Sequence, residues 1–219
     1  MFICPYLAYR ASSRMRQISS VSYIRFLNAS PNSPAIDIYL NERLLSRNLS
    51  YKSFSDYTNI PYGTYNIKVF PAGSVENPIV DQNLTIPAEK IFTIAATDHY
   101  PNITLLPIED IRRPKIPNRA LIRFVNLTPD SPGLNLVLPG GNTLFSDVSY
   151  KEVSPYIPIA PGVHTLEINN SDSNERVLYV PNIRLTPNRF YSIYSVGNLS
   201  GSPEIQALIP LDGNSYIRF

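Results

Sequence analysis

The stretch IRFLNASPNSP at residues 24–34 returns as IRFVNLTPDSP at residues 122–132, identical at seven of eleven positions. A chain that repeats itself in this way must adopt a fold that can be built twice on one plan. The correspondence runs on downstream. Leu49-SYKSFSDY matches Val148-SYKEVSPY, Ile60-PYGTYNIKV matches Ile159-APGVHTLEI, and Asn83-LTIPAEKIFTIAA matches Asn182-IRLTPNRFYSIYS. LLPIED at 105–110 and LIPLDG at 208–213 close the two copies. The reading is therefore an N-terminal extension at 1–20, expected to be flexible, a first repeat at 21–110, a Pro- and Arg-punctuated linker at 111–119 (IRRPKIPNR) and a second repeat at 120–213. A final segment at 214–219 ends in SYIRF, a copy of Ser22–Phe26 at the head of the first repeat.

Each copy reads as strands. Ala35-IDIYL and Thr64-YNIKVF alternate apolar and polar residues, and Ile91-FTIAA is a short run of the fully buried type. Turn chemistry falls between them: PNSP, PYG and PAGS in the first copy, PDSPG, PGGN and APG in the second. With 21 Pro in 219 residues, no window holds a helical apolar period for three turns. Short strands at this spacing predict an all-β chain of two tandem immunoglobulin-like or transthyretin-like β-sandwich domains.

Composition narrows the function classes. Charged residues are only 16% of the chain, the net charge is +2, and the basic residues are scattered, which argues against a nucleic-acid footprint. No apolar run is long enough for a transmembrane helix. The apolar stretch Phe2–Tyr9 is short, is broken by Pro5 and has its arginines behind it, so no standard signal peptide is read, and Met15 is an alternative start to Met1. Cys4, the only cysteine, excludes an intrachain disulfide and a cysteine-based zinc cluster; it is a free thiol or a candidate intermolecular link.

Ile24-RFLNASPNSPAIDIY resembles the signature of a bacterial family of tandem β-domains of unknown function, whose members open with Arg-Phe/Val-x-His-Ala-Ser-Pro-Asp-Ala-Pro-Ala-Val-Asp-Val-Tyr. Tyr51-KSFSDY, Tyr150-KEVSPY and Pro61-YGTY continue the likeness, which spans residues 22–212. Asn28 and Asn126 stand where the family has His, and Asn135 stands opposite Asp37, so the motif cannot need that carboxylate in the second copy. The resemblance implies a secreted or surface-associated protein of Gram-positive bacteria, and its nearest likeness is to members from spore-forming clostridia. It brings no established activity.

Catalytic chemistry has little to stand on. His99 and His164 occupy non-equivalent positions, His164 in place of Tyr65, and no zinc, nucleophile-elbow, Walker or dinucleotide pattern occurs. No catalytic, cofactor-binding or metal residue is assigned, and no cofactor is expected. The NASPNSP and NLTPDSP segments offer oxygen ligands for Ca²⁺, but with one carboxylate at most they read better as rigid turns. Arg25 and Arg123 project from the face opposite Ile24 and Phe26, toward an anion or a cross-strand carboxylate. Tyrosines 23, 39, 51, 57, 62, 65, 150 and 156 divide between strand packing and an interaction surface.

These readings converge on a non-enzymatic structural or adhesive protein of a bacterial cell surface or spore envelope, made in the cytoplasm. Its expected partners are further copies of itself or other surface and spore-layer proteins. The alternative is a module binding cell-wall glycan. Ser215, Tyr216, Ile217, Arg218 and Phe219 form a candidate assembly strand: they close the molecule's own sheet or add to a neighbour's.

Overall fold

The computed structural model describes residues 20–219. Cys4, Met15 and all but the last residue of the expected N-terminal extension lie outside the described residues. The first repeat contains β1 (Val21–Asn28), β2 (Ile36–Leu40), β3 (Arg43–Leu49), β4 (Thr58–Pro61), β5 (Gly63–Pro71), β6 (Val80–Ile86), β7 (Ile91–Thr97) and β8 (Thr104–Glu109). The second contains β9 (Ala120–Leu127), β10 (Gly133–Leu138), β11 (Asn142–Ser149), β12 (Ile157–Ile159), β13 (Gly162–Asn170), β14 (Arg176–Leu185), β15 (Phe190–Val196) and β16 (Gln206–Leu208). Among the described residues no helix is long and apolar enough to cross a membrane.

Each repeat is a sandwich of two four-stranded sheets. The orders are β4-β1-β7-β8 and β3-β2-β5-β6 in the first, and β12-β9-β15-β16 and β11-β10-β13-β14 in the second. Pairing is antiparallel except for β1 with β7 and β9 with β15, which run parallel with Arg25 beside Thr93 and Arg123 beside Ser192. Alternation along the strands decides what lies between the sheets. Phe26, Ile36, Ile38, Ile67 and Ile94 are sealed in the first core, and Phe124, Leu134, Leu136, Leu166 and Ile168 in the second. Each such side chain contributes about 1.5–3 kcal/mol by leaving water.

The opposite faces of β1 and β9 are buried as well. Leu27, Ala29, Ala95 and Ile108 of the first repeat pack against Val125, Leu127, Tyr194 and Val196 of the second in one continuous apolar cluster. The β1-containing sheet thus meets the β9-containing sheet, and the molecule is four layers deep. This explains why every residue of β9 and β15 is buried.

The prolyl turns are organised by Asn28 and Asn126. Asn28 Nδ2 donates to the Leu49 carbonyl (3.1 Å), while its Oδ1 accepts from the Ser30 N–H (3.3 Å) and the Ser33 hydroxyl (3.1 Å). Asn126 donates likewise to the Val148 carbonyl (2.9 Å) and accepts from the Thr128 N–H (3.0 Å), but here Nδ2 also donates to the Ser131 hydroxyl oxygen (2.8 Å). Asp37 braces two backbone N–H groups, of Asn48 (2.6 Å) and Gly73 (3.0 Å); Asn135 braces the Asp147 N–H (2.7 Å). An amide oxygen suffices for the single N–H held in the second copy, which can therefore lose the acid. Among the described residues no group of three or more His, Cys, Asp or Glu is placed to hold a metal ion.

One glycine is required by position. Gly197, just after β15, has φ +97°, and a Cβ there would lie 2.4 Å from the Glu204 carbonyl oxygen. Gly197→Ala is expected to cost about 1–3 kcal/mol in urea unfolding; an unchanged midpoint refutes the reading.

The last SYIRF departs from the expected strand. Gly213–Ser215 forms a 3₁₀ turn and Tyr216–Phe219 pairs with no strand. The Ser215 hydroxyl donates to the Phe190 carbonyl (3.1 Å) and accepts from the Phe190 N–H (2.8 Å), which pins the segment beside β15 before it can extend. Tyr216 then meets Tyr57 edge-on at 6.1 Å, and Phe219 meets Tyr23 at 5.5 Å.

Candidate functional site

The two first-strand arginines converge at the contact between repeats. Arg123 is 1% exposed. Its Nε donates to Ser192 Oγ (2.6 Å), its Nη1 to the Glu109 carbonyl (2.6 Å) and its Nη2 to Asp110 Oδ1 (2.6 Å). Arg25 repeats the scheme from the other side: Nε to Thr93 Oγ1 (2.9 Å), Nη1 to the Leu211 carbonyl (3.2 Å), and Nη2 facing Asp212 Oδ1 at 3.7 Å without a hydrogen bond. Each repeat's arginine is therefore anchored on its own parallel strand and reaches the residue pair that closes the other repeat. The arrangement is reciprocal.

Each carboxylate is held by a tyrosine of its own repeat, and Asp110 also by a backbone N–H of the other. Tyr57 donates to Asp110 Oδ2 (2.7 Å), and the Gly213 N–H reaches the same oxygen (2.8 Å). Tyr156 donates to Asp212 Oδ2 (2.5 Å), as does Ser192 (2.8 Å). The same tyrosines offer their ring faces to the guanidiniums: Arg25 lies 4.6 Å from both Phe54 and Tyr57, and Arg123 lies 4.7 Å from Tyr156. Val153 stands where Phe54 would be repeated. Arg25 is thus held by two π faces and Arg123 by a direct ion pair.

Burial, followed by the negative charge of Asp110, raises the Asp212 carboxyl to about 6. Burial works against the charge of Arg123, but Asp212 foremost and Tyr156 next outweigh it, and the guanidinium stays above its ordinary value. Burial, followed by Asp110, pushes the Tyr57 hydroxyl up; burial, followed by Asp212, does the same to Tyr156. The tyrosines therefore stay protonated and act as donors. Chemically the cluster is a lock: most of its donors and acceptors are engaged with one another across the seam, with Arg25 Nη2 and Asp212 Oδ1 held together by charge alone.

Further polar links widen the seam. Tyr150 of the second repeat donates to Asp98 Oδ1 (2.7 Å) and accepts from the Asp98 N–H (2.9 Å), and Lys151 pairs with Asp98 at 2.7 Å. His99 Nε2 meets Asn198 Oδ1 at 2.8 Å, and Lys52 donates to Gln206 (2.8 Å). His164 does what Tyr65 does in the first copy: each side chain bonds the carbonyl four residues back, Ala160 (2.8 Å) and Pro61 (2.6 Å).

Of the residues singled out from sequence, the structure brings Arg25, Arg123, Tyr57 and Tyr156 together, with Tyr150 nearby. Tyr39 and Tyr65 serve strand packing in the first sandwich, and Tyr62 is exposed. Sequence reasoning missed Asp110, Asp212, Thr93 and Ser192. The signal was partial for the first two: LLPIED and LIPLDG each carry an aspartate, but one position out of step, and only the bonds of the Asp110 N–H to Ile91 and the Asp212 N–H to Phe190 show them to be equivalent.

Fold and seam define a tandem β-sandwich protein whose repeats are fused into one body. A family model described as a domain of unknown function (DUF4397) matches residues 22–137 and 129–219, and the chain belongs to that family, with two copies. No curated protein matches the sequence. Among solved structures the chain is similar to the C-terminal domain of AlgF from P. aeruginosa, at 18% identity over 43% of this chain and 98% of that one, with a TM-score of 0.34. A family CBM26 module of Eubacterium rectale Amy13K, solved with maltoheptaose, is 9% identical over 86% and 96% of the two chains at a TM-score of 0.27. A streptococcal virulence factor described for alpha-glucan binding is 10% identical over 90% and 100% at 0.29. Likeness at this level assigns no function.

Proposed function

We propose that the protein is a non-enzymatic structural or adhesive block of a bacterial cell surface or spore envelope. One observation carries the reading: the charged and aromatic residues most sharply repeated in the sequence are turned inward, where they weld two sandwiches into a four-layer body. A body fixed in this way transmits load without hinging, and leaves two outer sheets and their edges to meet neighbours. The spore setting rests on the resemblance to clostridial members. Immunogold labelling of spores and vegetative cells is expected to decorate an envelope or surface layer; label confined to the cytoplasm overturns the reading.

Within this reading the Ser215–Phe219 segment closes its own molecule. Truncation before Asn214 is expected to lower Tm by several degrees while leaving the mass in solution unchanged, since the segment stacks on Tyr23 and Tyr57. A folded truncation that has lost an oligomer would instead assign strand addition between molecules, and an unaltered truncation refutes both.

A glycan-binding reading draws on one feature. A groove of about 490 Å³ on the first sandwich is lined by Asn41, Arg43, Asn59 and Tyr65, with the adjoining Tyr62 61% exposed. Aromatic faces beside amides suit sugar rings. Pull-down on purified peptidoglycan and wall glycans, with Tyr62→Ala as comparison, decides it.

A further inference from the structure

The linker that reads IRRPKIPNR is absorbed by neither the seam nor the proposed function. It folds against the C-terminal segment, where Asn214 Nδ2 donates to the Ile111 carbonyl (3.1 Å) and Lys115 Nζ and Arg189 Nη1 both reach the Ser215 carbonyl (3.4 and 2.9 Å). Between linker and segment lies a cavity of about 340 Å³ whose lining includes Arg112, Arg113, Lys115 and Arg218.

None of these four cations pairs with a carboxylate among the described residues, the α-carboxylate of Phe219 included. Elsewhere Lys68, Lys90, Lys151 and Arg176 each have an acidic partner, whereas here four cations share one cavity. The crowding is felt locally. Burial, followed by the charges of Arg218 and Arg189, lowers Lys115 from its ordinary value. Folding brings Arg218 to Arg112, Arg113 and Lys115, which lie 103 to 106 positions earlier in the chain, at a cost that an anion in the cavity would reverse.

We infer that this cavity binds a dianionic phosphate group, free or as the monoester of a small organic molecule. Arg112 lies 4.8 Å over the Phe219 ring, a stack that occupies the guanidinium's face and leaves its N–H edge for a forked contact with an oxyanion. Four cations call for more than the single charge of a carboxylate, and a phosphate monoester carries about −1.5 to −2 at neutral pH. Ile91, Ile217 and Phe219 supply an apolar side against which an esterified group can lie. The site does not depend on the surface role proposed above.

The test uses the full chain in low-salt buffer, titrated by calorimetry and by backbone amide NMR with inorganic phosphate, glycerol 3-phosphate and, as monoanion, acetate. Both phosphates are expected to bind, acetate at least about tenfold more weakly, with shifts centred on residues 112–115 and 214–219. Tighter binding of glycerol 3-phosphate assigns a monoester, and equal or weaker binding assigns free phosphate. Arg112→Gln with Arg113→Gln should weaken phosphate binding about tenfold or more, since each charged hydrogen bond carries that order of effect. Arg47→Gln with Arg184→Gln, which removes the same charge from exposed positions of β3 and β14, should leave it within about twofold. Thermal melts confirm that both variants fold. Absent binding, shifts spread over the whole surface, or equal weakening by the two double variants overturns the proposal.

Discussion

Arg123→Met is expected to lower the unfolding free energy by about 3–5 kcal/mol, one of the largest losses any single substitution in this chain can produce. The guanidinium is 1% exposed and holds Asp110 Oδ1 at 2.6 Å, so its removal strands a buried carboxylate far from water. Methionine fills most of the volume, which separates the electrostatic loss from a cavity. Asp110→Asn retains an oxygen for the Tyr57 hydroxyl and the Gly213 N–H but abolishes the charge. The double variant should therefore be more stable than the two single losses predict, with a coupling of about 1–3 kcal/mol. Urea unfolding of the four proteins measures the cycle. A loss under about 1 kcal/mol for Arg123→Met, or additive single variants, would show that the seam is held by its apolar cluster and not by the charges.

Asp212 is expected to make stability fall as pH rises from about 4 to about 6. Its carboxyl is raised to about 6 in the folded protein, by burial first and by Asp110 next, against about 3.9 in an unfolded chain. The folded state holds the proton more tightly, so the contribution is fully present below the unfolded value and is lost as pH climbs through the folded one. About two units correspond to about 3 kcal/mol. Asp212→Asn still accepts from Tyr156 and Ser192 and cannot titrate. The difference between the wild-type and variant pH–stability curves isolates the group, and a flat difference from pH 4 to 7 would refute the shift. The same logic predicts that Arg123→Met costs less at pH 4 than at pH 8, where Asp212 beside it is charged.

Much of the architecture was legible from local pattern. Ile24 and Phe26 alternate with Arg25 and Leu27, and that alone sends the two sets to opposite faces of β1; the same holds for Ile122, Phe124, Arg123 and Val125 on β9. The prolyl turns after both strands were readable because Asn, Ser and Pro act within a few residues of themselves. What Arg25 and Arg123 touch was not readable. Strand alternation gives a direction but no partner, and the partners lie 186 residues away in one case and 13 in the other. The crosswise pairing exists only because two sheets meet face to face.

The two copies of SYIRF separate the levels most sharply. As Ser22–Phe26 the peptide is a central strand, flanked by β4 and β7. As Ser215–Phe219 it begins in a 3₁₀ turn and runs on as unpaired chain against Tyr57 and Tyr23. Five identical residues have identical propensities, so propensity cannot choose. The chain's own letters determined two β-sandwich repeats, their turns and the faces of their strands, because those depend on period, proline and short-range hydrogen bonds. Tertiary structure alone decided which Asp each Arg would find, which tyrosines would seal them, and that the second SYIRF would be pinned to Phe190 by Ser215 and run on unpaired, because these depend on what folding brings within a few ångströms.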